Sequence, residues 1–362
     1  MPLRAAMPYN RGMTEITLAL PFALPPPELA NDLLRALQAP ALAALLTRHS
    51  AFKYNVFNND SRVLPHEAWL AHALGLASAP DQPDTGAPLA TAVMRGCGLQ
   101  AEAAEGHWFM LQPAHVQISR THMLLSDLRG VQLSEADSRA LYELARPYCE
   151  QIGKPLLHGA PGLWFLRADD WAGLHTASPD ATSSQSMSDW LPEGDHARDF
   201  RKLQNEIQML WHEHPINEAR QARGLQPINS CWLWGGAGPA APSGRVAIAG
   251  GVQWLDALSA VPQPSAAQLL DQPAAAGTPS SVLLGDLIAA AQVGDWADWL
   301  ARMQRIEQEW LAPLLAALKA GRIARLNLVL SHRNGWTTVS STGLAQRKFW
   351  RKPSLNPLLK QS

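Results

Sequence analysis

Short, continuous apolar runs alternate with helically periodic segments, and this alternation constrains the fold more than any other feature. Residues 16–24 (ITLALPFAL), 230–234 (SCWLW) and 323–330 (IARLNLVL) have the make-up of buried strands. Behind the first run, Leu29, Leu33, Leu34 and Leu37 recur at helical spacing, and a second helical run covers 41–48. A short amphipathic helix starts at Leu64 and closes at Gly75. Ser134 caps a helix that reaches about residue 152, kinked at Pro147. The strongest helix begins at Asp195, carries Phe200, Leu203, Ile207, Leu210, Trp211 and His214 on one face, and stops at Pro215. A shorter helix covers 217–223, and a long amphipathic one covers 296–319. Strands alternating with helices imply an α/β fold, a mixed sheet flanked by helices.

Smaller elements follow from local patterning. Residues 107–127 read as a small antiparallel meander, 154–167 as one or two strands, and 245–249 and 336–340 as further strands, with a helix over 252–258. Residues 50–62 are polar and rich in turn formers. Long Pro/Ala/Ser-rich loops are expected over 77–90, 173–190 and 237–280, the second of them mobile. Residues 1–12 show no periodicity and read as disordered, leaving 13–362 as one large domain.

Composition excludes several classes. Thirty Lys+Arg against 31 Asp+Glu give a net charge of −1, so no global field draws the chain to nucleic acid or to an anionic membrane. No apolar run approaches the ~18 to 20 residues of a membrane span. Cys97, Cys149 and Cys231 lie far apart without metal-like spacing and read as reduced thiols of a cytoplasmic protein. The 14 tryptophans outnumber 7 Phe and 4 Tyr together. Large rings of this kind either fill a core or form an exposed interaction patch.

Motifs that suggest chemistry are weak one by one. The run HEAWLAH from His66 spaces its histidines six apart, whereas ligands on one helix face need four. His212 and His214 diverge on a helix. The glycines 235, 236 and 238 lack the Lys-Ser/Thr of a phosphate loop. His332-Arg333-Asn334-Gly335 ends a buried strand, where α/β sheets place ligands, and Asn334-Gly335 is also an ordinary hairpin turn. Arg347, Lys348, Arg351, Lys352 and Lys360 interleave with Phe349 and Trp350, as a phosphate-contacting tail or as a solvated terminus.

One stretch is more specific. Residues 205–220 (NEIQMLWHEHPINEAR), Gly224 and 228–236 (INSCWLWGG) resemble the proteobacterial RpfE-type regulatory proteins. The pattern H-P-x-N-x-x-R, a glycine four residues on, an asparagine, an apolar strand and then G-x-G is also similar to archaeal-type cofactor-independent phosphoglycerate mutases of the alkaline phosphatase superfamily. Residues 310–318 before the strand 323–330 resemble the elements leading to that superfamily's metal-binding Gly-Asp-His turn.

The resemblance implies a degenerate alkaline-phosphatase-superfamily-like fold. Active members need Asp and His ligands for two divalent metals and a Ser or Thr nucleophile. Here the first strand carries no Asp, Ser331-His332-Arg333 stands where Gly-Asp-His belongs, and Trp234 replaces an arginine. The resulting expectation is a cytoplasmic, non-catalytic regulatory or binding protein that needs no cofactor and senses a phosphorylated metabolite or contacts a regulatory protein, without nucleic acid or membrane. His214, Asn217, Arg220 and Asn229 are its candidate phosphate-binding residues, and His332 is a metal remnant. The alternative is an active metal-dependent mutase or phosphatase with two Mn or Zn ions on relocated ligands drawn from His66, His122, Asp127, Asp286 and His332. A third reading is an interaction platform built on surface tryptophans.

Overall fold

A computed structural model of the chain describes residues 15–78, 85–118, 123–183, 185–271 and 280–359. In chain order the strands among them are β1 (Glu15–Leu20), β2 (Ala51–Val56), β3 (Trp108–Ala114), β4 (Val116–Ile118), β5 (Met123–Leu125), β6 (Leu156–Ala160), β7 (Leu163–Arg167), β8 (Ser230–Ala237), β9 (Val246–Ala249), β10 (Ser281–Leu284), β11 (Arg325–His332) and β12 (Gly335–Thr342). The larger sheet has the order β2-β12-β11-β1-β10-β9. Strands β9, β10, β1 and β11 run parallel, and β12 and β2 are added antiparallel at one side. Its central strands are apolar on both faces because both faces are covered. Ile16, Leu18 and Leu20 of β1 pack with Leu42, Leu45, Trp299 and Leu314 from helices, while Ala19 points into a second core with Leu70 and Trp336. The chain therefore has the mixed α/β architecture, a sheet flanked by helices, that its strand and helix pattern implies.

A smaller antiparallel sheet has the order β6-β7-β3-β8, and β4 pairs with β5 alone. One face, with Phe109, Leu111 and Trp164, is covered by the helices Glu135–Gln151 and Ala197–His212 through Leu141, Phe200, Leu203 and Trp211. The opposite face, with Trp108, Met110, Trp232 and Trp234, shares a core with Leu283 and Val329 of the larger sheet. The two sheets thus meet along a continuous apolar seam.

Twelve of the 14 tryptophans are buried. They fill these cores, and a surface platform built from many tryptophans is absent. Trp350, two-thirds exposed, is the exception outside the cores.

Several local expectations need correcting. The polar segment 50–62 contains β2, an edge strand whose exposed and half-buried residues, Lys53 and Asn55 among them, disguise it as a loop. The meander over 107–127 is split, since β3 joins β7 and β8 and leaves β4 and β5 as a separate pair. Strand β10 is only four residues long and lies behind a Pro/Ala-rich connector, too short for a periodic signal. The segment 173–190, expected to be a mobile loop, holds a helical turn at Pro179–Thr182 capped by Ser178 and a second turn at Met187–Trp190, and Thr176, Ser178, Thr182 and Trp190 are buried. The expected disorder of residues 1–12 and parts of the loops 77–90 and 237–280 lie outside the described residues.

The long C-terminal helix shows how a local irregularity serves packing. Between Trp296–Ile306 and Ala312–Lys319 it makes a π turn, Glu307–Leu311. The buried Glu307 carboxylate accepts hydrogen bonds from the backbone of Ala41 at 2.5 Å and of Leu42 at 3.1 Å. The helix Pro40–Thr47 has no side-chain cap of its own, so Glu307 supplies it from a distant segment and meets the positive end of the helix dipole. Glu307→Ala is expected to lower unfolding stability by about 2–4 kcal/mol. A loss below about 0.5 kcal/mol in denaturant titration, the range of surface substitutions, would show that water caps the helix equally well.

Candidate functional site

Parallel strands bring their carboxyl ends to one edge, the usual ligand-binding edge of an α/β sheet. At this edge the chain turns sharply. Phe22, just after β1, adopts a left-handed φ of 57° that a bulky residue rarely takes. Gly250, after β9, has φ 67°, and a Cβ there would meet the Asp286 carboxylate at 2.3 Å, so only glycine fits. His332 ends β11, and Arg333 and Asn334 form the two-residue turn to β12.

The helix Pro65–Ala73 lays its first turn against this edge, with His66 and Glu67 both buried. The His66 imidazole sits 5.6 Å from the Phe22 ring, and neither of its nitrogens has a hydrogen-bond partner. Burial, helped by the Arg129 charge, pushes it down to about 3, so it is neutral. Glu67 Oε2 accepts from the backbone of Leu64 at 2.9 Å, and Oε1 has no hydrogen-bond partner. Burial pushes this carboxyl up to about 8. Glu67 is therefore a mostly protonated acid at neutral pH.

Charged groups beside it are paired. Arg129 reaches Asp127 at 2.8 Å and Asp180 at 2.9 Å. Burial still raises the Asp180 carboxyl above its ordinary range, against the pull of Arg129. Arg333 donates to the carbonyls of Asp180, at 3.4 Å, and of Ala181, and its guanidinium lies 5.7 Å from the Trp190 ring centre. Gln292 also donates to the Asp180 carbonyl, at 3.2 Å. The strand-end turn and the helical turn at 179–182 are thereby fastened together.

Next to this network lies a cavity of about 310 Å³, at the lower end of the size range of small-molecule pockets. Trp234, Trp254 and Val252 supply apolar wall, and Glu67, Asp127, Arg129 and Asp180 supply polar wall. Trp234 and Trp254 meet edge to face at 5.1 Å. The Trp234 indole N–H donates to Gln112 at 2.7 Å, and Gln112 donates to the Gly162 carbonyl at 3.1 Å. Indole and amide thus hold each other in place at the position where the resemblance puts an arginine.

The residues singled out as phosphate ligands stand apart from this cavity and bind backbone. Asn217 donates to the carbonyls of Trp211 and Ile228 and accepts from Ile228 N–H. Arg220, fully buried, donates to Gln226 at 2.9 Å, to Gln132 at 3.3 Å and to Val131. Asn229 pairs with both backbone groups of Val116, and His214 caps its own helix by accepting from Ile216 N–H. Arg220 nevertheless bears on the cavity, because Val131 and Gln132, which it clamps, form part of the wall.

His332 Nδ1 accepts from Asn334 N–H at 3.1 Å, which leaves Nε2 to donate to the Tyr54 hydroxyl at 3.2 Å. Ser331 is used in stitching, its Oγ and carbonyl accepting from the backbone of Phe22 and Leu24. Among the described residues no three His, Cys, Asp or Glu side chains group so as to hold a metal ion. His66, Asp127, Asp286 and His332 do not form a ligand set, and His122 lies outside the described residues. The donors among the described residues do not fit a two-metal centre.

Comparison with known proteins gives a partial match. Over 131 residues the chain is 27% identical to a probable 2,3-bisphosphoglycerate-independent phosphoglycerate mutase of Geobacter sulfurreducens, covering 35% of this chain and 32% of the relative. Over 119 residues it is 31% identical to the 2,3-bisphosphoglycerate-independent phosphoglycerate mutase of Methanothrix thermoacetophila, covering 32% and 30% respectively. Part of this chain is distantly homologous to such mutases. The matched stretches span about a third of those relatives' length. A solved structure of a protein from Pyrococcus horikoshii superposes with a TM-score of 0.51 at 12% identity, over 96% of this chain and 92% of that one, and so shares its fold. No protein-family profile matches the chain.

Proposed function

We propose that the chain is a non-catalytic regulatory or binding protein of the RpfE type on a phosphoglycerate-mutase-like scaffold, working in the cytoplasm, and that the cavity beside Glu67 takes a small molecule. The observation that carries this reading is the charge balance at the carboxyl end of the sheet. Phosphoryl transfer needs unneutralised positive charge or metal ions facing the transferred group. Here Arg129 is engaged by two aspartates and Arg333 by two backbone carbonyls.

The same balance bears on the ligand. The wall's one guanidinium, Arg129, is already shared by Asp127 and Asp180, which disfavours a multiply charged phosphate, since it would have to draw Arg129 away from one of them. A molecule with a flat apolar body against Trp234 and Trp254 and a hydrogen-bond donor or ammonium toward Glu67 suits the wall better. The phosphorylated metabolite suggested by the family resemblance is therefore the weaker candidate for this cavity.

Two measurements test the proposal. Purified protein supplied with Mn²⁺ or Zn²⁺ is expected to form no 2-phosphoglycerate from 3-phosphoglycerate above background. Turnover that a chelator abolishes would establish an enzyme instead. In calorimetry, 2-phenylethylamine is expected to bind and 3-phosphoglycerate is not, with Trp254→Ala removing the amine signal. Phosphoglycerate binding that survives in Trp254→Ala would move the site elsewhere.

A further inference from the structure

Acidic residues stop at Glu309. The 53 residues from Trp310 to the last carry nine Lys or Arg and no Asp or Glu, so a net charge of −1 conceals strong segregation along the chain. Four of these cations, Arg347, Lys348, Arg351 and Lys352, surround the neighbouring Phe349 and Trp350. The structure adds that this segment is anchored. Arg351 donates to the Thr47 carbonyl at 3.3 Å, Arg48 donates to the Arg351 carbonyl at 3.2 Å, Lys348 donates to the His49 carbonyl at 2.9 Å, and Leu358 further on is buried. Such an anchored segment differs from a free solvated terminus.

What it presents to solvent is apolar and cationic at once. Leu344 is 74% exposed, Phe349 80% and Trp350 67%. The two rings hold each other edge to face at 5.3 Å and 83°. Arg347, Arg351 and Lys352 are exposed around them, with Arg48 adjoining. Among the described residues none of these cations forms an ion pair with a carboxylate of this chain.

We propose that this face, built on residues 343–352 and Arg48, docks on the anionic surface of a lipid bilayer, with Leu344, Phe349 and Trp350 entering the headgroup layer and the surrounding cations meeting lipid phosphates. Tryptophan, phenylalanine and leucine beside Lys and Arg are the composition of an interfacial anchor. Single-stranded nucleic acid would also welcome cations and rings. It has no use for an exposed leucine, and the edge-to-face contact turns an edge of one ring onto the other's face, where a stacking platform needs open faces. With no membrane-spanning helix among the described residues, attachment would be peripheral.

The full-length protein is mixed with vesicles of phosphatidylcholine alone or with added phosphatidylserine, and sedimentation measures the bound fraction. Binding is expected only to the anionic vesicles, weakened at least about tenfold by high salt and by Phe349→Ser with Trp350→Ser. Arg347→Gln with Lys352→Gln, at exposed positions, should weaken it with the denaturation midpoint unchanged. Equal binding to both vesicle types, no binding, or wild-type binding in the double ring variant would overturn the proposal. So would binding of a single-stranded RNA oligonucleotide in place of vesicles.

Discussion

Arg220→Ala lowers the unfolding free energy by about 3–5 kcal/mol, the upper range for removing a buried charged side chain that several hydrogen bonds hold. The side chain is completely buried, and its three contacts are all backbone carbonyls from two separate segments, 131–132 and 226. Truncation leaves these carbonyls without partners in a closed space and opens a void the size of a guanidinium. Gln132 is held at a left-handed φ of 46°, a conformation that needs external support. Because Val131 and Gln132 belong to the cavity wall, the same change should blunt ligand binding without touching the ligand. Arg220→Lys keeps the charge but loses the fork and should recover less than half of the loss. A change below about 1 kcal/mol in guanidinium titration would mean that these bonds contribute little.

The fate of Arg220 shows what the amino-acid sequence conveys here and what it withholds. Spacing correctly puts Asn217 and Arg220 on one helix face, since both point inward from Pro215–Ala222. Residue type, however, does not distinguish an arginine waiting for a phosphate from one spent on carbonyls, because both need the same fork of donors. The central strands β1 and β11 were legible, since burial on both faces leaves continuous apolar runs such as 323–330. Strand β2 was not, as an edge strand with one wet face has the composition of a loop.

The cavity wall was the least legible part. Glu67 lies in an apolar helix where a metal-binding pattern fails on spacing, and nothing local shows that this carboxyl is buried. Asp180 sits in a Ser/Thr-rich stretch with every mark of a mobile loop. Its burial depends on Arg129 and Arg333, 51 and 153 positions away in the chain, and pairings over such distances leave no periodic trace. Only Ser178 before Pro179 hinted at a helical turn there.

The neighbours His66 and Glu67 should impose opposite pH dependences on stability. Glu67 is pushed from 4.5 up to about 8, so between those values the folded protein keeps a proton that the unfolded chain releases. Stability then falls as pH rises through this window, by on the order of 1.4 kcal/mol per pH unit for one proton. His66 is pushed from 6.5 down to about 3, so the unfolded chain takes up a proton that the folded protein refuses, and stability falls as pH drops from 6.5. His332, lowered to about 4 by burial, steepens that acid limb. Glu67→Gln preserves shape and removes the titration. Its stability relative to wild type should be level below pH ~4.5 and rise through pH 8, by several kcal/mol at most given solvent relaxation around buried charge. His66→Phe should flatten the acid limb alone. Parallel profiles for wild type and Glu67→Gln between pH 5 and 8 would show that Glu67 is already ionised in the folded protein. In that case the cavity would hold a permanent negative charge, and a cationic ligand would bind without expelling a proton.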